Sequence, residues 1–146
     1  KKTTVIDVYN LFEYWLKIRT PIKYSEYHLK NEPLSIIKTS KLPYALTTYQ
    51  ADRIMQNYLF PTRTDFYILT KDFDSWHKTL LSNGLVGKGN TRILLADPQI
   101  IKESIKRNGY FLVSKSQLIC DLLMEGGVAI DAAHRLIRKW YADIIR

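Results

Sequence analysis

A mixed α/β domain of the α+β kind is predicted by three observations. Short runs rich in aromatic and β-branched residues alternate with segments of helical period, glycine, proline and asparagine signals separate them, and the last third of the chain reads as helix. The expectation is a small β-sheet packed with several helices and a helical C-terminus. At 146 residues the chain has the size of one ordinary domain, and 46% hydrophobic content is enough to build a core and excludes wholesale disorder. Residues 1–146 are therefore read as a single unit, without internal repeat or flexible linker.

The elements follow in order. Asp7 opens an amphipathic helix carrying Val8, Leu11, Phe12, Trp15 and Leu16, which ends near Arg19 because Pro21 disfavours helix in the residue before it. "IKYSEYHL" alternates as a strand does, and Pro33 starts the short helix "PLSIIKTS". "LPYALTTYQADRIMQNYLFP" predicts a short strand, a threonine cap and a helix using Ala51, Ile54, Met55 and Tyr58, closed by Pro61. "TDFYILT" is a strand, and "FDSWHKTLLSNG" a helix that Asn83-Gly84 terminates. "LVGKGNTRILLAD" predicts a hairpin turning at Lys88-Gly89-Asn90. Asp97 caps a helix over "PQIIKESIK", and "GYFLVS" is a strand. Ser114 and Gln117 form a capping box before "KSQLICDLLME", Gly126-Gly127 breaks that helix, and a last helix runs from about Val128 to Ile145.

Composition narrows the function classes. No apolar run approaches the roughly 20 residues of a bilayer span, so no membrane partner is expected. The opening "KKTTVIDVYN" lacks the apolar stretch of a signal peptide. The single cysteine, Cys120, allows no internal disulfide, fits a reducing cytoplasm and reads as a small core residue. Twenty-two Lys and Arg against 14 Asp and Glu give a net charge of +8, which favours an anionic partner, nucleic acid first and an acidic protein next.

The constellations that could carry chemistry are weak. His28, His77 and His134 show no metal-ligand spacing, so no metal and no cofactor are expected. Asp72-x-Asp74 has the spacing of a Mg²⁺-binding carboxylate pair, but no Gly-Ser turn precedes it for a triphosphate, and a helix cap explains it more simply. No Asp-x-Lys or Glu-x-Lys of the metal-dependent nuclease kind occurs. Gly87-Lys88-Gly89 matches neither of the glycine-rich nucleotide-binding fingerprints. No catalytic residue emerges. Basic stripes are more informative: Arg135, Arg138 and Lys139 share one helix face, Lys102, Lys106 and Arg107 form a second group, and Lys17, Arg19 and Lys23 a third.

Two segments carry a family resemblance. "VSKSQLICDLLMEGGVAIDAAHRL", through Val113-Ser114, Gln117, Asp121-Leu122-Leu123, Gly126-Gly127, Ala132-Ala133 and Leu136, resembles the C-terminal region of AbiEi-type antitoxins and their archaeal relatives. "YALTTYQADRI" is similar to that family's Tyr-Ala-Leu-Thr segment, with one departure: the family often has Gly where this chain has Thr48. Members are transcriptional regulators of type IV toxin–antitoxin systems and usually carry an N-terminal winged helix that binds operator DNA. The resemblance implies that this chain is the C-terminal part of a longer regulator, "KTTVID" resembling the last wing strand. It also implies DNA and a nucleotidyltransferase toxin as partners.

The first reading is thus a non-enzymatic antitoxin or regulator domain whose anion-facing surface is Lys102, Lys106, Arg135, Arg138 and Lys139. The alternative is a Mg-dependent enzyme acting on nucleic acid, with Asp65, Asp72, Asp74 or Asp97 converging on the metal. A module for homo-oligomer formation is the third, and a large apolar surface patch would mark it.

Overall fold

The strand that positions everything else is the aromatic run predicted from Thr64. In the computed structural model, which describes residues 10–11 and 23–144, it is β3 (Thr64–Leu69), buried along almost its whole length on both faces. Around it a seven-stranded mixed sheet has the order β4-β1-β5-β3-β2-β7-β6. Its other strands are β1 (Tyr24–Leu29), β2 (Ala45–Thr47), β4 (Gly84–Val86), β5 (Thr91–Ala96), β6 (Ile105–Arg107) and β7 (Tyr110–Leu112). The helices are α1 (Pro33–Thr39), α2 (Thr48–Met55), α3 (Phe73–Leu81), α4 (Pro98–Lys102), α5 (Lys115–Glu125) and α6 (Val128–Ile144). A mixed α/β fold with a helical C-terminus is what the sequence predicts, although the sheet is larger than a small one. The predicted helix from Asp7 lies outside the described residues except at Asn10 and Leu11, which are helical.

Strand register separates the sheet into two unlike faces. Paired residues point to the same side, so Tyr24 and Glu26 of β1, Arg92 and Leu94 of β5, Asp65 and Tyr67 of β3, and Ala45 and Thr47 of β2 share one face. The opposite face presents Tyr27, Ile93, Phe66, Ile68 and Leu46, all buried. Helix α3 covers this apolar face. The fully buried Trp76 ring meets Phe66 edge-on at 5.0 Å, and Tyr27 Oη lies 2.7 Å from His77 Nδ1. On the polar side α5 buries Leu118, Ile119 and Leu122, and α6 packs on α5 with Ala129, Ala132 and Ala133. Cys120 is buried, as predicted.

Local signals are obeyed where the chain's own neighbours decide. Pro33 stands in the first turn of α1, the Asp97 carboxylate accepts from Gln99 N at 2.9 Å, and Ser114 Oγ accepts from Gln117 N at 3.3 Å. The capping box is only half made, because the Gln117 side chain turns away to Asp121. Asp72 takes the cap position of α3 without a side-chain cap bond.

Three expectations are corrected. The helix after Thr47 stops at Met55, short of Tyr58, because the buried Asp52 carboxylate captures Tyr58 N and Leu59 N at 3.1 and 2.6 Å and curls the chain around itself. The helix predicted over "PQIIKESIK" stops at Lys102, and Ile105–Arg107 is strand β6. It pairs with β7 across Asn108-Gly109, both at positive φ (53° and 83°), which is the asparagine-glycine hairpin turn.

The third correction is the hairpin at Lys88-Gly89-Asn90, which does not form. β4 and β5 lie on opposite edges of β1, each antiparallel to it. The four-residue connection passes from one edge of β1 to the other, and three contacts hold it there. Gly87 N donates to Glu26 O at 3.0 Å, Gly89 N donates to the Glu26 carboxylate at 2.9 Å, and the Asn90 side-chain amide pairs with both backbone groups of Leu29 at 3.0 Å. The crossing is so close that a Cβ on Gly89 would lie 2.6 Å from His28 Cα and 2.7 Å from Tyr27 O. Gly89→Ala is expected to destabilise the fold by more than about 2 kcal/mol, since backbone rather than a side-chain tip must move. Gly127→Ala, at φ +58° in open space, should cost only about 1–2 kcal/mol. Urea unfolding of the two variants checks the ranking, and the reverse order would refute the close crossing.

Candidate functional site

The polar face of the sheet and the helix over it form the most chemically dense region among the described residues. A cleft of about 270 Å³ has Tyr24, Arg92, Asp65 and Tyr67 on its sheet floor and Asp121 and Glu125 of α5 on its wall. Helical spacing puts Asp121 and Glu125 one turn apart on the same side of α5. Arg63, just before β3, reaches in between.

The groups are interlocked. Asp121 is buried and accepts from Thr47 Oγ1 at 2.6 Å, from Tyr67 Oη at 3.0 Å to both oxygens, and from Gln117 Nε2 at 3.0 Å. The Arg63 guanidinium grips Asp65 through Nε at 2.7 Å and Nη2 at 2.8 Å, and the same Nη2 reaches Glu125 at 2.8 Å. Tyr49 Oη completes Glu125 at 2.8 Å, and Thr48 Oγ1 completes Asp65 at 2.7 Å. At the open end Arg92 bonds Glu26 at 3.2 Å and its guanidinium stacks 4.3 Å from the Tyr24 ring centre.

Thr48 holds a strained backbone, φ +49°, a conformation that favours glycine. The strain is of order 1–2 kcal/mol, and the buried hydroxyl bond to the Asp65 carboxylate is of a size to offset it.

Electrostatics follow the contacts. Burial works against a charged Glu125, but the hydrogen bonds from Arg63 and Tyr49 and the Arg63 charge outweigh it and hold the carboxyl below its ordinary 4.5. Glu26 is held low chiefly by the Gly89 N–H, with Arg92 assisting against burial. Burial raises Tyr49, and the adjoining Glu125 adds to the effect. Burial disfavours the Arg63 cation, yet its two carboxylate partners raise its pKa further still.

Apart from Asp65, which lies on the cleft floor, the site residues singled out from sequence lie elsewhere. Arg135, Arg138 and Lys139 are exposed on α6, with the Arg135 guanidinium 4.7 Å from the Tyr58 ring centre. Lys102 is exposed in the last turn of α4, and Lys106 on the edge strand β6. Lys23 is exposed ahead of β1, while Lys17 and Arg19 lie outside the described residues. Of the four aspartates weighed as metal ligands, Asp65 stands at the start of β3. Asp72, Asp74 and Asp97 lie beyond the far ends of β3 and β5, about 15 Å away by strand rise. Among the described residues no group of three or more His, Cys, Asp or Glu could hold a metal ion, and no helix is long and apolar enough to cross a membrane.

Sequence reasoning missed Arg63, Arg92, Glu26, Glu125 and Tyr49, because none falls in a motif and their partners are as many as 76 residues away. Comparison with protein-family models, curated proteins and solved structures finds no match to this chain.

Arg63→Gln should cost about 3–5 kcal/mol at pH 7, since it leaves the buried Asp65 without its cation. Thermal unfolding tests it, and a loss below about 1 kcal/mol would mean that the pair is not structural. Because Glu125 and Glu26 have lowered folded pKa values, their stabilisation is complete above about pH 4.5 and is lost as pH falls through those values. Glu125→Gln is therefore expected to be less stable than the parent at pH 7, with the gap shrinking below pH 4.5. A gap independent of pH would contradict this assignment.

Proposed function

We propose that the chain is a non-enzymatic antitoxin or transcriptional-regulator domain of an AbiEi-like type IV toxin–antitoxin system, contributing to operator binding or toxin neutralisation. The observation that carries this reading is one contact. Thr47, from the segment similar to the family's Tyr-Ala-Leu-Thr, donates to Asp121, from the second resembling segment, 74 positions away. The two stretches that carry the resemblance are thus parts of one buried device, which gives a physical reason for them to occur together.

Two further observations support it. The departure from the family pattern, Thr48 in place of Gly, falls on a residue with the left-handed backbone that glycine adopts freely. The carboxylates of the cleft, Asp65, Asp121 and Glu125, are engaged by arginine, tyrosine, threonine and glutamine side chains, an arrangement that braces a fold rather than poising a base or nucleophile. In this reading Arg135, Arg138 and Lys139 on α6, together with Lys102 and Lys106, meet phosphates or an acidic protein.

Fluorescence anisotropy with a labelled duplex from the protein's own promoter, beside a scrambled duplex and across a salt series, tests the reading. Binding to both should weaken with salt, and Arg135→Glu with Arg138→Glu should reduce the salt slope by about one per lost contact. Stability should fall only by the Arg135–Tyr58 contact, about 0.5–1 kcal/mol. Unchanged binding by the double variant removes the α6 stripe from the interface, and absence of binding at low salt removes operator contact from this domain.

A further inference from the structure

A second concavity has the opposite electrostatic character. Between the end of α1, α4 and the β6–β7 hairpin lies a groove of about 480 Å³, a volume within the range that takes a small ligand or one residue of a larger one. Lys38, Lys41 and Lys106 line it, together with Ser40, Tyr44 and Phe111, and no carboxylate is among its described lining residues. Three lysines from α1, the loop after it and β6, at positions 38, 41 and 106, thus line one groove. Only Lys106 is among the residues the sequence points to.

Two of the lysines sit over aromatic rings. The Lys38 ammonium is 5.1 Å from the Tyr110 ring centre, and the Lys106 ammonium is 5.6 Å from that of Phe111. Phe111 is 40% exposed, so a planar partner can reach it. Its backing is firm: the buried Tyr44 ring meets it edge-on at 5.8 Å, and Tyr44 Oη accepts from Phe111 N at 3.3 Å. Phosphate is the anion that compact, mobile ammonium charges suit. A ring held beside them adds a stacking platform, the pairing by which single strands are bound. A duplex hides the faces of its bases and is too wide to enter the groove, whereas an unpaired nucleotide offers both phosphate and an open π-face.

We propose that this groove binds a single-stranded segment of nucleic acid, with its phosphates on Lys38, Lys41 and Lys106 and one unpaired base against Phe111. The site shares Lys106 with the basic surface of the regulator reading but does not rest on that reading, since Lys38, Lys41 and Phe111 lie outside that surface and the form of nucleic acid differs.

The test is anisotropy with a labelled oligothymidylate of about twelve nucleotides, inside the usual site sizes of about 4–16. The corresponding thymidylate–adenylate duplex and an oligouridylate of equal length run beside it. The single strand should bind more tightly than the duplex, and binding of either the DNA or the RNA strand sustains the proposal. Phe111→Leu, which keeps apolar bulk and removes the π-face, should weaken single-strand binding about five- to a hundredfold. Lys38→Gln with Lys41→Gln should lower the salt slope by about 0.7 per lost phosphate contact. Arg135→Glu with Arg138→Glu should leave single-strand binding unchanged, which separates this site from the α6 stripe. Unaltered melting temperatures establish that each variant is folded. Failure to bind the single strand at low salt, equal affinity for the duplex, or unaltered binding by folded Phe111→Leu overturns the proposal.

Discussion

Asp121 joins the C-terminal helices to the sheet. A buried carboxylate is costly unless its lone pairs are met, and here donors arrive from β2, β3 and α5 itself: Thr47, Tyr67 and Gln117. The bond from Thr47 fixes α5 at the point where β2 becomes α2. The bonds from Tyr67 fix it against the central strand. Once α5 is so placed, Glu125 one turn on falls within reach of Arg63 and Tyr49, and the second half of the network closes. Remove the first anchor and the geometry of the second has no reason to hold.

This anchor accounts for the asymmetry of the sheet. The face toward α3 is held by apolar contact, with Phe66 against Trp76 and β-branched neighbours around them. The face toward α5 carries charged and hydroxyl side chains along β1, β5, β3 and β2, and only directional bonds can bury such a surface. Directional bonds specify a single arrangement more sharply than apolar contact does. The polar face therefore fixes the register of helix on sheet, while the face toward α3 is held by apolar burial.

The basic surface is organised on a different rule. Arg135, Arg138 and Lys139 form a stripe because one helix repeats them every three or four residues, which is visible in a linear reading. The Lys38, Lys41 and Lys106 groove exists only because the β6–β7 hairpin folds beside the end of α1. Asn108-Gly109 turns that hairpin, yet "PQIIKESIK" before it has a helix-compatible pattern in which strand β6 is concealed. With β6 read as helix, nothing in the sequence places Lys106 near Lys38.

What the sequence determines alone is whatever depends on a few neighbouring residues. The mixed α/β class, the Pro33 and Asp97 helix starts, the Ser114 cap, the stop at Asn83-Gly84 and the buried Cys120 rest on backbone sterics, capping and periodicity, which act over a turn or two. Tertiary structure decided what depends on partners far along the chain. β1 inserted between β4 and β5 where a local hairpin was expected, because Gly89 and Asn90 satisfy β1 rather than each other's strands. Asp65, legible only as a candidate metal ligand, became the partner of Arg63 and Thr48. The polar cleft and the lysine groove belong to the same category: burial and charge convergence are properties of a surface, and a surface exists only once the chain has closed on itself.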